Sequence, residues 1–328
     1  MRRLLILLLA LPMLAGCIDE ETYDNTPEGN LLALWTLLDE HYCFFREKAI
    51  DWDSVYNAYR VRVNDRMSED QLFEVMAGML STLRDGHVNL YYSSDVGRNW
   101  SWQEDYPANF SDTLHRRYLG TDYKITTGLR YRVLDDNVGY IYCSSFSNTL
   151  GSGNLDDIFY ALTFCRGLIV DVRNNSGGML TSAETLAARF TDEERLVGYM
   201  RHKTGPGHDD FSDMEEQYIK PSSGVRWHKK VVVLTNRSVY SAANEFVKYM
   251  KQMPNALVVG DQTGGGAGMP YSNALPNGWN VRFSACPMYD VNKKTSEFGI
   301  VPDYTVNMTD EDFARGEDTI IEFARTLF

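Results

Sequence analysis

From Asn30 to Leu83 the apolar residues recur at helical spacing. Leu31, Leu32, Leu34, Trp35, Leu37 and Leu38 crowd a first helix that ends near Tyr42 to Phe45. A second starts at Asp53 or Ser54, with Val55, Tyr59 and Val63 on one face. Ser68-Glu-Asp-Gln71 has the form of a capping box, in which serine and glutamine side chains satisfy each other's backbone N–H. Behind it Leu72, Val75, Met76, Met79, Leu80 and Leu83 fall at i, i+3, i+4, i+7, i+8 and i+11. These helices predict a small helical subdomain over 29–90, whose last helix runs into Arg84-Asp85-Gly86-His87. Residues 91–135 lack a sustained period. They are rich in aromatics (Tyr91, Tyr92, Trp100, Trp102, Tyr106) and read as a connecting segment of short strands and loops.

The pattern changes at Asn137. Val138 to Phe146 has period-two character, and Gly167-Leu-Ile-Val-Asp-Val-Arg173 reads as a buried strand followed by the turn Asn174-Asn-Ser-Gly-Gly178. A helix is predicted from about Met179 to Phe190, with Leu180, Ala183, Ala187 and Phe190 on one face. Lys230 to Thr235 and Ala256 to Gly260 are further apolar strands, and between them a helix opens at Ser241. Strands alternating with helices predict an α/β domain over 136–328 with a mostly parallel sheet.

The first residues are of another kind. Arg2 and Arg3 precede the apolar run Leu4 to Leu14, which is too short for a transmembrane helix and fits a secretory signal. Leu14-Ala15-Gly16-Cys17 resembles a bacterial lipobox, which implies removal of 1–16, acylation of Cys17 and a lipid anchor at the cell envelope. Ile18 to Glu28 is acidic and reads as a tether (17–28). The net charge of −13, and the lack of any basic cluster longer than Arg116-Arg117 or Lys229-Lys230, argue against nucleic acid as a partner. Cys43, Cys143, Cys165 and Cys286 are far apart and no zinc-binding spacing occurs, so neither metal nor cofactor is implied.

Candidate chemistry starts at Ser241. A serine at a strand-to-helix corner lies beside N–H groups without intrahelical partners, and these can stabilise an oxyanion. Such a serine is also an ordinary N-cap. His87, in a tight Asp-Gly-His turn, is the candidate base, although Asp85 or the helix end could equally satisfy a structural histidine. Gly177-Gly178 allows close backbone approach and can aim an N–H at an oxyanion, but a strand-to-helix turn needs glycine too. Thr263-Gly264-Gly265-Gly266 is a second glycine loop, without the Lys-Ser/Thr of a phosphate loop.

Five segments, in this order, resemble the motifs of the S41 peptidases, the carboxyl-terminal processing and tricorn-type serine proteases. They are Asp85-Gly-His87, Asp171-Val-Arg-Asn-Asn-Ser-Gly-Gly178, Tyr240-Ser-Ala-Ala-Asn-Glu245, Val259-Gly-Asp-Gln-Thr-Gly-Gly265 and Phe298-Gly-Ile-Val-Pro-Asp303. The resemblance implies a crotonase/ClpP-like stacked-sheet α/β core with an N-terminal helical subdomain. The Ser-Lys dyad of one branch is excluded, since no lysine occurs between Lys251 and Lys293. The tricorn-like design remains: Ser241 as nucleophile, His87 as base, and Glu297 supporting the histidine directly or through a relay. Ala242 and Gly177 or Gly178 would supply the oxyanion N–H groups.

Where that design has a serine beside the histidine, this chain has Gly86, so water or another hydroxyl such as Ser296 would have to make the link. Glu245 is a second carboxylate to consider, with a solvated helix face as its plainer reading. The roughly 47 residues between Asn89 and Asn137 are too few for a typical PDZ module. The expectation is a lipid-anchored serine endopeptidase acting on peptides or unfolded proteins outside the cytoplasm. The alternatives are a catalytically inactive ligand- or glycan-binding lipoprotein on the same fold, and an esterase sharing the triad logic.

Overall fold

The computed structural model describes residues 23–93, 95–98 and 104–328. The predicted signal peptide, the first half of the tether (17–22, with Cys17), and Trp100 and Trp102 lie outside them. The chain begins with helices α1 (Pro27–His41), α2 (Trp52–Arg60) and α3 (Glu69–Ser81). Helix α1 starts two residues inside the stretch read as tether, because Pro27 suits a first helical turn and Thr26 caps it by accepting from Gly29 N–H. Asp51 caps α2, and the Ser68–Gln71 capping box of α3 is formed in both directions.

Strands β1 (Asn89–Tyr92) and β2 (Asp95–Arg98) follow, then α4 (Asp112–Leu119), β3 (Lys124–Thr126), β4 (Leu129–Val133) and β5 (Val138–Tyr142). Helix α4 was not anticipated within 91–135. Its Ser111 cap, Asp112 in the first turn, arginines in the last turn and Gly120 at positive φ are all ordinary terminus signals, but the helix is too short to show a period. Next come α5 (Ser152–Leu162), β6 (Gly167–Asp171), α6 (Leu180–Ala187), β7 (Arg195–Met200), β8 (Glu215–Ile219), β9 (Val231–Thr235), α7 (Ala242–Met250) and β10 (Ala256–Gly260). The chain closes with β11 (Gly268–Ala274), β12 (Asn280–Tyr289), β13 (Tyr304–Thr305), α8 (Asp310–Arg315) and α9 (Thr319–Arg325).

Two sheets make the α/β core. The first has the order β13-β10-β9-β6-β5-β4-β3, parallel from β13 to β5 and antiparallel beyond. The alternation of its strands divides two cores. Leu168, Val170, Val231, Val233 and Val258 face α5, α6 and α7, with Val197 and Ile219 of β7 and β8 joining from the far side. Ile169, Val232, Leu234 and Val259 face α9, through Ile320, Ile321 and Ala324.

The second sheet, β2-β1-β12-β7-β8 with β11 also on β12, is antiparallel. The hydrophobic pattern did not disclose it, since β11 and β7 carry irregularities in register and β11 is largely exposed. The N-terminal helices pack directly on this sheet: Leu34, Phe44, Phe73 and Met76 share a core with Leu90, Val281 and Phe283.

At the end of β6 the fully buried Arg173 is held by Asp171 and by Asp318, the cap of α9. Removing the cation would leave two buried carboxylates facing each other. Arg173→Ala is therefore expected to lower unfolding free energy by about 3–5 kcal/mol, read from urea denaturation. A loss within ~0.5 kcal/mol, the range of ordinary surface substitutions, would show that the pair does not tie α9 to the sheet.

Candidate active site

Ser241 sits at the corner between β9 and α7 with φ 56° and ψ −127°. A non-glycine residue rarely adopts such a backbone, and it persists only where the surroundings enforce it. Here Ser241 N–H donates to Gly265 C=O at 2.9 Å, and Tyr240 N–H to Asn175 C=O at 3.1 Å. Gly177 packs so closely that a Cβ there would lie 2.8 Å from the Ser241 Cβ. Although Ser241 is the N-cap of α7, its side chain makes no capping hydrogen bond. Its Oγ instead lies 2.9 Å from His87 Nε2.

The second sheet brings His87 there. β1 pairs antiparallel with β12 with Asn89 opposite Arg282, and the same register continued two residues sets His87 opposite Ser284. Val281 and Phe283 point into the helical core, so Arg282 and Ser284 project from the other face. Ser284 Oγ lies 3.4 Å from His87 Nδ1, a long contact, and stands close enough to the Asp85 carboxyl to help hold it ionised. Asp85 further accepts from His87 N–H at 2.8 Å, Tyr42 Oη at 3.1 Å and Tyr240 Oη at 3.2 Å. The hydroxyl that links the histidine to a carboxylate is thus Ser284. Ser296 is directed elsewhere, 3.4 Å from Glu245, which is fully buried and ion-paired with Lys248 rather than on a solvated helix face.

Glu297 stands one step further back. Lys48 Nζ holds its Oε1 at 2.8 Å and Ala267 N–H donates to its Oε2 at 2.9 Å, with no hydrogen bond to His87 among the described residues. Asp85 and Glu297 share the field of Lys48 and respond in opposite directions. Cations and hydrogen-bond donors hold the Asp85 carboxyl below its usual range despite burial. Burial, reinforced by the charge of Asp85, pushes Glu297 up to about 7. His87 is pushed down to about 4 by burial, with Arg282 and Lys48 opposing its protonation and Asp85 favouring it. At neutral pH the imidazole is a free base beside an ionised carboxylate.

The two glycine loops have separate structural tasks. Gly177 N–H donates to Asn175 Oδ1 at 2.9 Å. Phe146 bridges Gly178 in parallel fashion, bonding Gly177 C=O and Met179 N–H, so the N–H of Gly178 points the other way. Gly178, Ser241 and Arg282 line both of two adjoining cavities. One, of about 320 Å³, includes His87, Asn89 and Ser147. The other, of about 260 Å³, is walled by Leu180, Met269, Pro270 and Met288. Gly265 and Gly266 lie against the Glu297 backbone and the Tyr240 ring, where a Cβ would collide with either, so that loop seats Ser241. Among the described residues no group of His, Cys, Asp and Glu is arranged to hold a metal ion.

Sequence reasoning did not find Ser284, Lys48, Tyr42 or Tyr240. Three of them reach the site through tertiary pairing, and no local motif marks them. Tyr240 could have been weighed as the residue preceding Ser241.

The model of peptidase family S41 matches residues 137–306, and that of the tricorn protease C1 domain matches 23–81. A solved structure described as a candidate peptidase, from Parabacteroides merdae ATCC 43184, is 50% identical and aligns with a TM-score of 0.88 over 93% of this chain and 97% of that one. The carboxy-terminal processing protease CtpA of Bacillus subtilis (strain 168) is 26% identical over 152 residues, 46% of this chain and 30% of that protein. A protein described as a candidate tricorn-like protease C-terminal subunit, from Sulfurisphaera tokodaii, is 28% identical over 166 residues, 49% of this chain and 17% of that protein. The chain thus spans less than a third of these curated relatives. Mature CPAF, only 13% identical, shares the fold, with a TM-score of 0.70 over 92% of this chain and 96% of its own. With the family model covering more than half of its length, the chain belongs to peptidase family S41.

Proposed function

We propose that the chain is a serine endopeptidase that cleaves peptides or unfolded proteins outside the cytoplasm. The observation that carries this reading is the 2.9 Å contact between Ser241 Oγ and His87 Nε2, made by a serine whose capping role is left unused. In the proposed reaction Ser241 Oγ adds to the scissile carbonyl carbon while its proton passes to His87 Nε2. The carbonyl oxygen takes the negative charge and is met by the N–H groups of Ala242 and Gly178; Gly177 is excluded because its N–H already serves Asn175. His87 returns the proton to the leaving amine, and water then hydrolyses the acyl-enzyme through the same base.

In this proposal Asp85 supports the imidazolium through Ser284. His87 Nδ1–H donates to Ser284 Oγ, whose own proton goes to Asp85, which leaves Nε2 free to accept from Ser241. Lys48 keeps that carboxylate ionised, and Glu297 holds Lys48 in place. A binder without catalysis is not favoured, since it has no use for a buried neutral histidine on an uncapping serine. We further propose that Cys17 carries a lipid that holds the protein at the cell envelope, on the strength of the sequence ahead of it. Palmitate analogue should then label the expressed protein and spare Cys17→Ser; equal labelling of both would refute the anchor.

A fluorophosphonate probe is expected to label Ser241, as located by mass spectrometry, and Ser241→Ala to lose ~10³-fold or more in peptide turnover. Full turnover in that variant would overturn the assignment. The two carboxylates can be separated kinetically. Asp85→Asn should lower kcat on the order of 10²-fold or more, and Glu297→Gln less, with thermal melting used to confirm folding. The reverse order would make Glu297 the support of His87. Because the base is neutral down to a pKa of about 4, kcat/KM should fall on the acid side near pH 4. A half-point near the ordinary imidazole value of ~6.5 would mean that His87 is solvated or is not the base.

A further inference from the structure

Arg282 is the one fully charged side chain among the described residues lining either cavity beside Ser241. Neither wall contains a carboxylate, in a chain whose net charge is −13. Its strand is paired on both sides, with Asn89 of β1 and Ser272 of β11 opposite it, so its backbone is committed and its side chain alone faces the cavities. No hydrogen bond, ion pair or ring contact engages the guanidinium within the described residues. The nearby acids are taken: Asp85 by Tyr42, Tyr240, Ser284 and His87 N–H, and Glu297 by Lys48.

We propose that Arg282 is a subsite for a carboxylate on the substrate, next to an apolar side chain bound between Leu180, Met269, Pro270 and Met288. This rests on the peptidase reading above and names the substrate class for that site. A peptide filling these cavities shields the guanidinium from solvent. An unpaired cation would then be left partly desolvated, whereas a carboxylate meets it with two parallel N–H···O bonds. Discrimination therefore comes from the penalty on neutral peptides as much as from the attraction of acidic ones. The carboxylate has two sources, an Asp or Glu side chain near the cleaved bond or the free end of the substrate chain.

The test is direct binding to the Ser241→Ala protein, which needs no turnover. The probes are octapeptides of alanine and leucine carrying one glutamate or one glutamine at each position in turn, each made with a free or an amidated C-terminus. The acidic member of a pair should bind about tenfold or more tightly than its neutral partner. The ratio should fall to about one when Arg282→Gln is added, and Arg282→Glu should invert it, so that the glutamine member binds more tightly than the glutamate member. Sensitivity to Glu against Gln assigns the subsite to a side chain, and sensitivity to amidation alone assigns it to the chain end. A ratio near one in Ser241→Ala, or a ratio that survives Arg282→Gln, overturns the proposal. Failure of fluorophosphonate labelling in the unmodified protein would strike the hydrolase reading and leave this comparison standing.

Discussion

A carboxylate that is 1% exposed has to be met by hydrogen-bond donors and positive charge, and the arrangement of the site follows from how Asp85 meets that requirement. Its partners come from four parts of the chain: Tyr42 at the end of α1, Tyr240 just before α7, Ser284 on β12, and the N–H of His87 two residues on. Lys48, from the loop after α1, adds the charge and is itself anchored on Glu297 and on Arg84 C=O. Satisfying one carboxylate thus joins the N-terminal helices to both sheets. The segments matched by the two family models, 23–81 and 137–306, are therefore interdependent, and Asp85 and His87 fall between them.

The same constraint sets the electrostatics. Two carboxylates around one lysine cannot be equally ionised in a dry site, and the one with more donors keeps the charge. Asp85 has three hydrogen-bond donors with the Ser284 hydroxyl close by, whereas Glu297 has Lys48 and one backbone N–H. That asymmetry places a stable anion on the side of Ser284 and lets Glu297 sit near neutrality, up to about 7. His87 is poised between Asp85 on one side and the cations Arg282 and Lys48 on the other, with burial as the largest influence on it.

Much of this was legible in the sequence, for identifiable reasons. The capping box of α3, the apolar strands β5, β6, β9 and β10, and the helix behind Ser241 are local features, and local pattern discloses them. Ser241 and His87 stand in turns whose chemistry is also local. Ser284 was out of reach because its role depends on a strand register between residues nearly two hundred positions apart, and one step of slip would turn it into the helical core. For the same reason Ser296, adjacent to Glu297 in sequence, looked like the link and is not. Arg282 was equally hidden, since nothing in Val281-Arg-Phe283 tells which cavity the arginine faces.

The backbone of Ser241 shows why the glycines lie where they do. A serine at φ 56° is held only if the chain on either side cannot relax. Gly265 receives its N–H, Gly177 fills the space against its Cβ, and Gly266 lies flat on the Tyr240 ring. A Cβ on these glycines would collide with the Glu297 backbone, Ser241 or the Tyr240 ring, so the glycine loops are the mould of the corner and need no bound phosphate to explain them. Tyr240 then couples the mould to the electrostatics. Its ring packs against the imidazole of His87, with centroids 5.0 Å apart, while its hydroxyl reaches Asp85. A single tyrosine therefore touches both the corner that carries Ser241 and the imidazole of His87.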